Sequence, residues 1–108
     1  MTHLIVCREY PPSPFPPGGI GTYVVHMARL LAAAGEKVHV IAQRWAGAPK
    51  ARSESFAGRL VLHRVPVDRP LRENPRDRQI LNGLAMSDCP SQAFAWQVAQ
   101  LAETLVET

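Results

Sequence analysis

The order of apolar segments in the first 42 residues restricts the fold to one class. Residues 2–7 form a short, almost wholly apolar run, which is typical of a strand buried on both faces of a parallel sheet. An amphipathic repeat over residues 20–33 indicates a helix, and the run over 37–42 predicts a second strand. Strand, helix and strand in this order form a right-handed βαβ unit, so we expect an α/β fold with a parallel sheet.

The first helix is predicted to bury one apolar face and to end at Gly35, because glycine suits the left-handed conformation that follows a helix. The buried face is predicted from apolar side chains at helical spacing, which are Ile20, Val24, Met27 and Leu31, widened by Ala28 and Leu30. The outer face is predicted to carry Thr22, His26, Arg29 and Ala33.

The rest of the chain is less regular. Residues 43–58 are polar and small, which predicts a loop, whereas residues 59–67 predict a third strand. The two prolines in residues 68–76 predict an irregular segment.

Two helices complete the predicted order. The first is short, over residues 80–85, and is loosened at Gly83. The second is predicted to run close to the C-terminus, with Asp88 or Ser91 as its N-cap. A helix after a third strand normally crosses to a further parallel strand. We therefore expect the 108 residues to be part of a larger fold.

Composition excludes several classes of protein. With 108 residues, of which 46% are hydrophobic, the chain has the length of one globular domain. Residues 44–78 carry nine basic and four acidic side chains, but few aromatic residues to stack on bases, so we expect a solvated face and no nucleic acid partner. The cysteines lack zinc-ligand spacing, and we expect neither a metal nor a cofactor. The first apolar run is too short for a signal peptide, which predicts a cytoplasmic protein.

The segment between the first strand and the first helix is the strongest candidate for a binding site. Ligands of open α/β sheets bind outside the carboxyl ends of the strands, where this chain has Arg8, five prolines and then Gly18 and Gly19. Glycines at a helix N-terminus leave backbone N–H groups accessible to an anion such as a phosphate. Neither the dinucleotide-binding pattern nor the P-loop pattern of glycines is present, so we expect a phosphate-binding loop of another kind.

Three stretches of this region stand out, which are Leu-Ile-Val-Cys-Arg-Glu-Tyr-Pro-Pro over 4–12, Pro-Gly-Gly-Ile-Gly-Thr-Tyr-Val over 17–24 and Ala-Arg-Leu-Leu-Ala-Ala-Ala-Gly-Glu-Lys-Val-His-Val-Ile over 28–41. Together they closely resemble the start of family 4 glycosyltransferases. The resemblance implies the GT-B arrangement, in which two Rossmann-like domains face each other across a cleft. It also implies a retaining enzyme that uses a nucleotide-diphosphate sugar. The chain would then be an incomplete N-terminal Rossmann-like domain, without the C-terminal nucleotide-sugar domain.

The resemblance also implies roles for individual residues. The donor diphosphate would bind the loop formed by Gly18, Gly19, Ile20 and Gly21, with the backbone of Gly19 nearest to it. The acceptor, which is a sugar, a lipid or a small molecule, would meet Tyr10 and the candidate cations Arg8 and Arg44. A half-buried structural role for Tyr10 and a surface role for the two arginines remain open. No catalytic residue is assigned.

The chain also departs from the family pattern. Two glutamates eight positions apart belong to the second domain, and no pair of glutamates here has that spacing. We therefore expect these 108 residues alone to transfer no sugar. A second interpretation is a non-enzymatic Rossmann-like module that binds a phosphorylated ligand or a protein partner. The edges of an incomplete sheet favour self-association, and contact with a membrane surface is an alternative for the full-length enzyme.

Overall fold

A computed structural model describes residues 2–11, 19–45, 51–67, 71, 75–85 and 90–107. The elements in chain order are β1 (Thr2–Val6), α1 (Gly19–Ala33), β2 (Lys37–Gln43), β3 (Arg52–Ser55), β4 (Leu60–Val65), α2 (Pro75–Ala85) and α3 (Pro90–Glu107). Two compact units make up the chain, one over residues 1–64 and one over residues 65–108.

The described strands form one sheet in the order β1-β2-β4-β3. β1 and β2 are parallel, with a register that runs from Thr2 opposite Lys37 to Val6 opposite Ile41. β4 is parallel to β2, because the two strands begin side by side, where the Val38 N–H donates to the Arg59 carbonyl at 2.7 Å. β3 is antiparallel to β4. The predicted α/β class and the mostly parallel sheet are confirmed.

Helix α1 packs on one face of the sheet through small side chains. Val24, Ala28 and Ala32 are buried against a cluster that includes Val38 and Val40 of β2. Alanines at the contact let the helix axis approach the sheet closely, and burial of a side chain such as Val24 stabilises the fold by about 1.5–3 kcal/mol.

The predicted buried face of α1 is correct at Val24 and Ala28 and wrong at Ile20 and Leu30, which are each 72% exposed. The buried stripe consists of Gly21, Val24, Ala28 and Ala32. It is rotated from the predicted stripe because small residues, rather than the largest apolar ones, meet the sheet.

The end of α1 follows the prediction. Gly35 has φ of +93°, and the Glu36 N–H donates to the Leu31 carbonyl at 3.0 Å while the Gly35 N–H donates to the Ala32 carbonyl at 3.1 Å. These two hydrogen bonds form a Schellman motif, which a glycine completes without steric cost.

β1 is less buried than predicted. Leu4 and Val6 are 45% and 50% exposed, whereas the alternate residue Ile5 packs against the core beneath α1. The expectation of a strand buried on both faces is therefore wrong for the described structure. In the described sheet β1 is an edge strand that pairs with β2, and α1 covers the opposite face from Leu4 and Val6.

The predicted loop over 43–58 contains a strand, β3, whose four residues are all exposed. It is joined to β4 by a turn in which Phe56, Ala57 and Gly58 all have positive φ. The third predicted strand is confirmed as β4, which ends at Val65, directly before Pro66.

In the second unit, α2 and α3 pack against each other. α2 begins at Pro75 and continues through Gly83, so the predicted irregular segment ends earlier and the helix is not broken. Proline at the first helical position has no N–H to leave unpaired.

α3 begins at Pro90 and includes Ser91, which is therefore not its N-cap, and Asp88 lies outside the described residues. No helix in the described part of the chain has the length and apolar character needed to cross a membrane.

Candidate functional site

The carboxyl ends of β1, β2 and β4 meet at one edge of the sheet, and several polar side chains lie there. Arg8 follows β1, Gln43 is the last residue of β2, and Arg64 is near the end of β4. Since the amino acids that follow parallel strands share one edge, these three side chains come together although they are far apart in sequence.

Arg8 is held in place by three contacts. Its Nε donates to Oε1 of Gln43 at 2.5 Å, and its guanidinium carbon lies 5.4 Å from the centre of the Trp45 ring. The indole N–H of Trp45 donates in turn to the carbonyl of Arg8 at 3.3 Å. A planar guanidinium stacked on an aromatic ring and fixed at Nε keeps one orientation.

Arg64 is a buried cation that satisfies its donors with backbone carbonyls. The residue is 3% exposed. Its Nη1 donates to the Gln43 carbonyl at 3.1 Å, and its Nη2 donates to the carbonyls of Tyr10 and Pro11 at 3.2 and 2.6 Å. Burial lowers the pKa of Arg64 and the nearby Tyr10 opposes that shift, but an arginine keeps its proton at neutral pH. Arg64 therefore ties the segment after β1 to the end of β2.

Sequence reasoning assigned no role to Arg64. A signal was available, because Leu60, Leu62 and Arg64 alternate along β4 and the two leucines belong to the core beneath α1. A charged residue at the next core-facing position requires buried partners. The partners themselves could not be predicted, since the Gln43 carbonyl lies 21 residues earlier in the chain and the carbonyls of Tyr10 and Pro11 lie more than 50 residues earlier.

Tyr10, a predicted acceptor-side residue, is 8% exposed and belongs to the core cluster with Val24. Burial raises the pKa of Tyr10, and the positive charges of Arg29 and Arg64 partly offset that shift. Tyr10 is therefore a protonated phenol at neutral pH, packed between α1 and the end of β1.

The glycines at the start of α1 differ in their surroundings. A Cβ atom on Gly21 would lie 3.0 Å from the carbonyl oxygen of Glu9, so Gly21 allows the helix to approach the backbone that follows β1. A Cβ atom on Gly19 would meet no described atom within 4 Å. Gly21 therefore serves packing, whereas no described residue occupies the space beside Gly19. Gly18 lies outside the described residues.

A pocket of about 230 Å³ opens beside this helix start. It is lined by Val6, Cys7, Arg8, Glu9 and Ile20. Burial raises the pKa of the Cys7 thiol, so this cysteine is a protonated packing residue rather than a nucleophile. The pocket brings Arg8 and Ile20 together from opposite ends of the loop. Arg44 directly follows β2, is half-buried, and does not line this pocket.

A second polar cluster lies on the sheet face opposite α1. His39 Nδ1 and His63 Nε2 are 3.0 Å apart, and the two rings stack with centroids 5.2 Å apart. Burial, together with the nearby charges of His39, Arg52 and Lys37, lowers the pKa of His63 to about 4. Both rings are therefore neutral at pH 7, one donating to the other. Among the described residues no group of three metal-ligating side chains comes together.

Comparison with known protein families gives a match. The model of Glycosyltransferase Family 4 matches residues 17–88, which is more than half of the chain. The matched range includes Gly18 and the start of α1, and it begins after Arg8 and Tyr10. Neither the curated proteins nor the solved structures that were compared gave a match. The extent of the family match and the α/β sheet that carries it show that this chain belongs to Glycosyltransferase Family 4.

Proposed function

We propose that this chain is the N-terminal part of a retaining glycosyltransferase that moves a sugar from a nucleotide-diphosphate donor to an acceptor. The observation that carries the proposal is the start of a 15-residue helix at Gly19, beside the pocket at the end of β1, where a Cβ would meet none of the described atoms within 4 Å.

The start of α1 suits the donor diphosphate. The first N–H groups of a helix have no partner inside the helix, and the helix dipole places partial positive charge at that end. Negative charge grows on the diphosphate as the sugar leaves, and fixed N–H donors stabilise that charge without reorganising. Gly19 would present its amide, with Gly18 and Ile20 shaping the same turn, while Gly21 lies on the first helical turn, where the dipole favours the phosphate.

The acceptor would lie on the side of Arg8, Tyr10 and Arg44. Arg8 is supported best, because it lines the pocket, whereas Tyr10 is packed in the core and would act through the position of its backbone. Retention requires that donor and acceptor be held on the same face of the sugar, so orientation supplies much of the catalysis.

We also propose that these 108 residues provide one side of the cleft and transfer no sugar alone. The resemblance assigns the nucleotide pocket and the two glutamates to a second domain, and no pair of glutamates with that spacing occurs in this sequence. Labelled nucleotide sugars incubated with the purified chain and mixed acceptors should give no turnover above the blank, and turnover would contradict this part of the proposal.

The donor site is tested with Gly19→Val. Its Cβ would meet no atom of the described residues within 4 Å, so we expect the fold to survive, but the side chain would stand where the diphosphate approaches the amide. We expect binding of uridine, guanosine or adenosine diphosphate, measured by calorimetry, to weaken about 10-fold or more, by analogy with the loss of one charge-assisted hydrogen bond. Thr22→Ala, on the exposed side of the same helix, is the matched control and should bind normally. Normal binding by a folded Gly19→Val variant would place the diphosphate elsewhere.

A further inference from the structure

We propose that the pocket lined by Val6, Cys7, Arg8, Glu9 and Ile20 binds an anionic group of the acceptor, a phosphate or a carboxylate carried on a sugar, through the guanidinium of Arg8. The inference rests on the proposed function, which puts Arg8 on the acceptor side, and it adds the chemical class of the acceptor.

The terminal nitrogens of Arg8 are available for an anion. Its Nε is engaged by Gln43, but neither Nη atom donates to another residue in the described part of the chain. The edge formed by Nη1 and Nη2 matches the paired oxygens of a carboxylate or a phosphate, which it binds through parallel hydrogen bonds.

The scaffold fixes the direction of these donors before any ligand binds. Gln43, which holds Nε of Arg8, is itself held because its carbonyl accepts from the buried Arg64 at 3.1 Å. Trp45 supports the flat face of the guanidinium, 5.4 Å away. A donor that is already oriented loses little side-chain freedom on binding, which favours affinity.

The size and lining of the pocket favour a sugar-sized ligand with one charged group. Its volume of about 230 Å³ lies below the range of roughly 300–1,000 Å³ that is typical of drug-sized ligands. Val6 and Ile20 offer apolar contact for the C–H face of a sugar ring. Glu9 lines the same pocket and repels an anion, so it opposes Arg8 and is a second point at which binding can be tested.

The test is titration of the chain with glucose 6-phosphate, glucuronate and glucose at constant ionic strength. Trp96→Phe leaves Trp45, beneath Arg8, as the reporter of fluorescence, and calorimetry on the unmodified chain gives the affinity independently. We expect saturable binding of the two anionic sugars and much weaker binding of glucose. Arg8→Met should weaken the anionic sugars about 10- to 100-fold, as expected for loss of charge-assisted hydrogen bonds. Glu9→Gln should tighten them about threefold.

Arg76→Met, which removes an exposed cation from α2, is the matched control and should leave these affinities unchanged. Equal binding of glucose and glucose 6-phosphate, or full binding by a folded Arg8→Met variant, would overturn the inference.

Uridine diphosphate separates this inference from the proposed donor site. If its binding depends on Gly19 and not on Arg8, while the anionic sugars depend on Arg8, both assignments stand. If uridine diphosphate depends on Arg8 as strongly as the sugars do, the anion at Arg8 is the donor diphosphate and the acceptor assignment fails. If the sugars depend on Arg8 but uridine diphosphate does not depend on Gly19, the donor site fails and the anion pocket stands.

Discussion

His63 and Arg64 are neighbours in β4, and they show two different ways to bury a basic side chain. Arg64 points to the side of α1, keeps its charge and directs its donors at three backbone carbonyls. His63 lies on the opposite face against His39 and is neutral, because burial and nearby cations lower its pKa to about 4. Burial of Arg64 requires a fixed backbone around its charge, whereas burial of His63 requires that its ring stay uncharged.

The candidate site lies at the carboxyl ends of the strands, where Arg64 holds the backbone. Carbonyls gathered around a permanent cation fix the segment after β1 at every physiological pH, which keeps Arg8 and the start of α1 in place. The histidine pair offers no such permanent anchor, because its hydrogen bond is lost when the accepting ring is protonated.

The largest expected effect on stability is that of Arg64→Met, which removes the buried cation. The methionine fills much of the same space but leaves the carbonyls of Tyr10, Pro11 and Gln43 without their donors, and buried polar groups without partners are costly. We expect the free energy of unfolding, measured by urea denaturation, to fall by about 3 kcal/mol.

Arg59→Met provides the matched comparison. Arg59 is exposed and its Nε donates to one carbonyl, that of Ala32 at 2.9 Å, so the loss should be about 1 kcal/mol or less. Equal losses for the two variants would mean that Arg64 is no more than another surface contact.

The burial of His63 as a neutral ring can be tested by lowering the pH. The pKa of His63 is about 4 in the fold and about 6.5 in the unfolded chain, so the unfolded chain binds more protons between these values. The contribution of the neutral His63 ring to the free energy of unfolding is therefore fully present above pH 6.5 and is lost progressively as the pH falls towards 4. We expect the free energy of unfolding to fall by about 2 kcal/mol over this range. A shift of one pKa unit corresponds to about 1.4 kcal/mol, and the total is reduced because His63 and His39 titrate together.

His63→Gln removes the titrating ring and should flatten this part of the profile of unfolding free energy against pH. The profile of Arg64→Met should keep its slope, because the guanidinium does not titrate in this range. An unchanged slope in His63→Gln would show that the histidine pair is not the source of the acid sensitivity.

The smallest expected effect is on the stability of a variant at Gly21, which packs next to the backbone that Arg64 fixes. Alanine at Gly21 places its Cβ 3.0 Å from the Glu9 carbonyl oxygen, next to the segment that Arg64 holds, whereas alanine at Gly19 meets no atom of the described residues within 4 Å. We expect Gly21→Ala to lower the melting temperature by several degrees, equivalent to about 1 kcal/mol. Gly19→Ala should change it little or raise it, since alanine favours a helix more than glycine does. A stable Gly21→Ala variant would show that the contact relaxes without cost.

The parts of the fold that depend on periodic hydrophobicity could be predicted, and the parts that depend on long-range partners could not. β1, α1, β2 and β4 follow from apolar spacing. β3 was missed because its residues, Arg-Ser-Glu-Ser, are all exposed and are held by pairing with β4 rather than by burial.

The candidate site shows the same division. The loop with Gly19 and Gly21 could be located from the glycines themselves, but which glycine is open and which is packed depends on the position of Glu9 in space. The contacts of Arg8 with Gln43 and Trp45 join residues about 35 positions apart, which no local pattern reports.

We propose that the start of α1 at Gly19 receives the donor diphosphate. Its binding can be followed by the movement of backbone amide signals in an ¹H–¹⁵N NMR spectrum as uridine diphosphate is added. We expect saturable shifts at Gly19 and Ile20, with smaller changes around Arg8 and none along α2 and α3. Saturable shifts confined to the second unit, or the same shifts in Gly19→Val as in the unmodified chain, would contradict it.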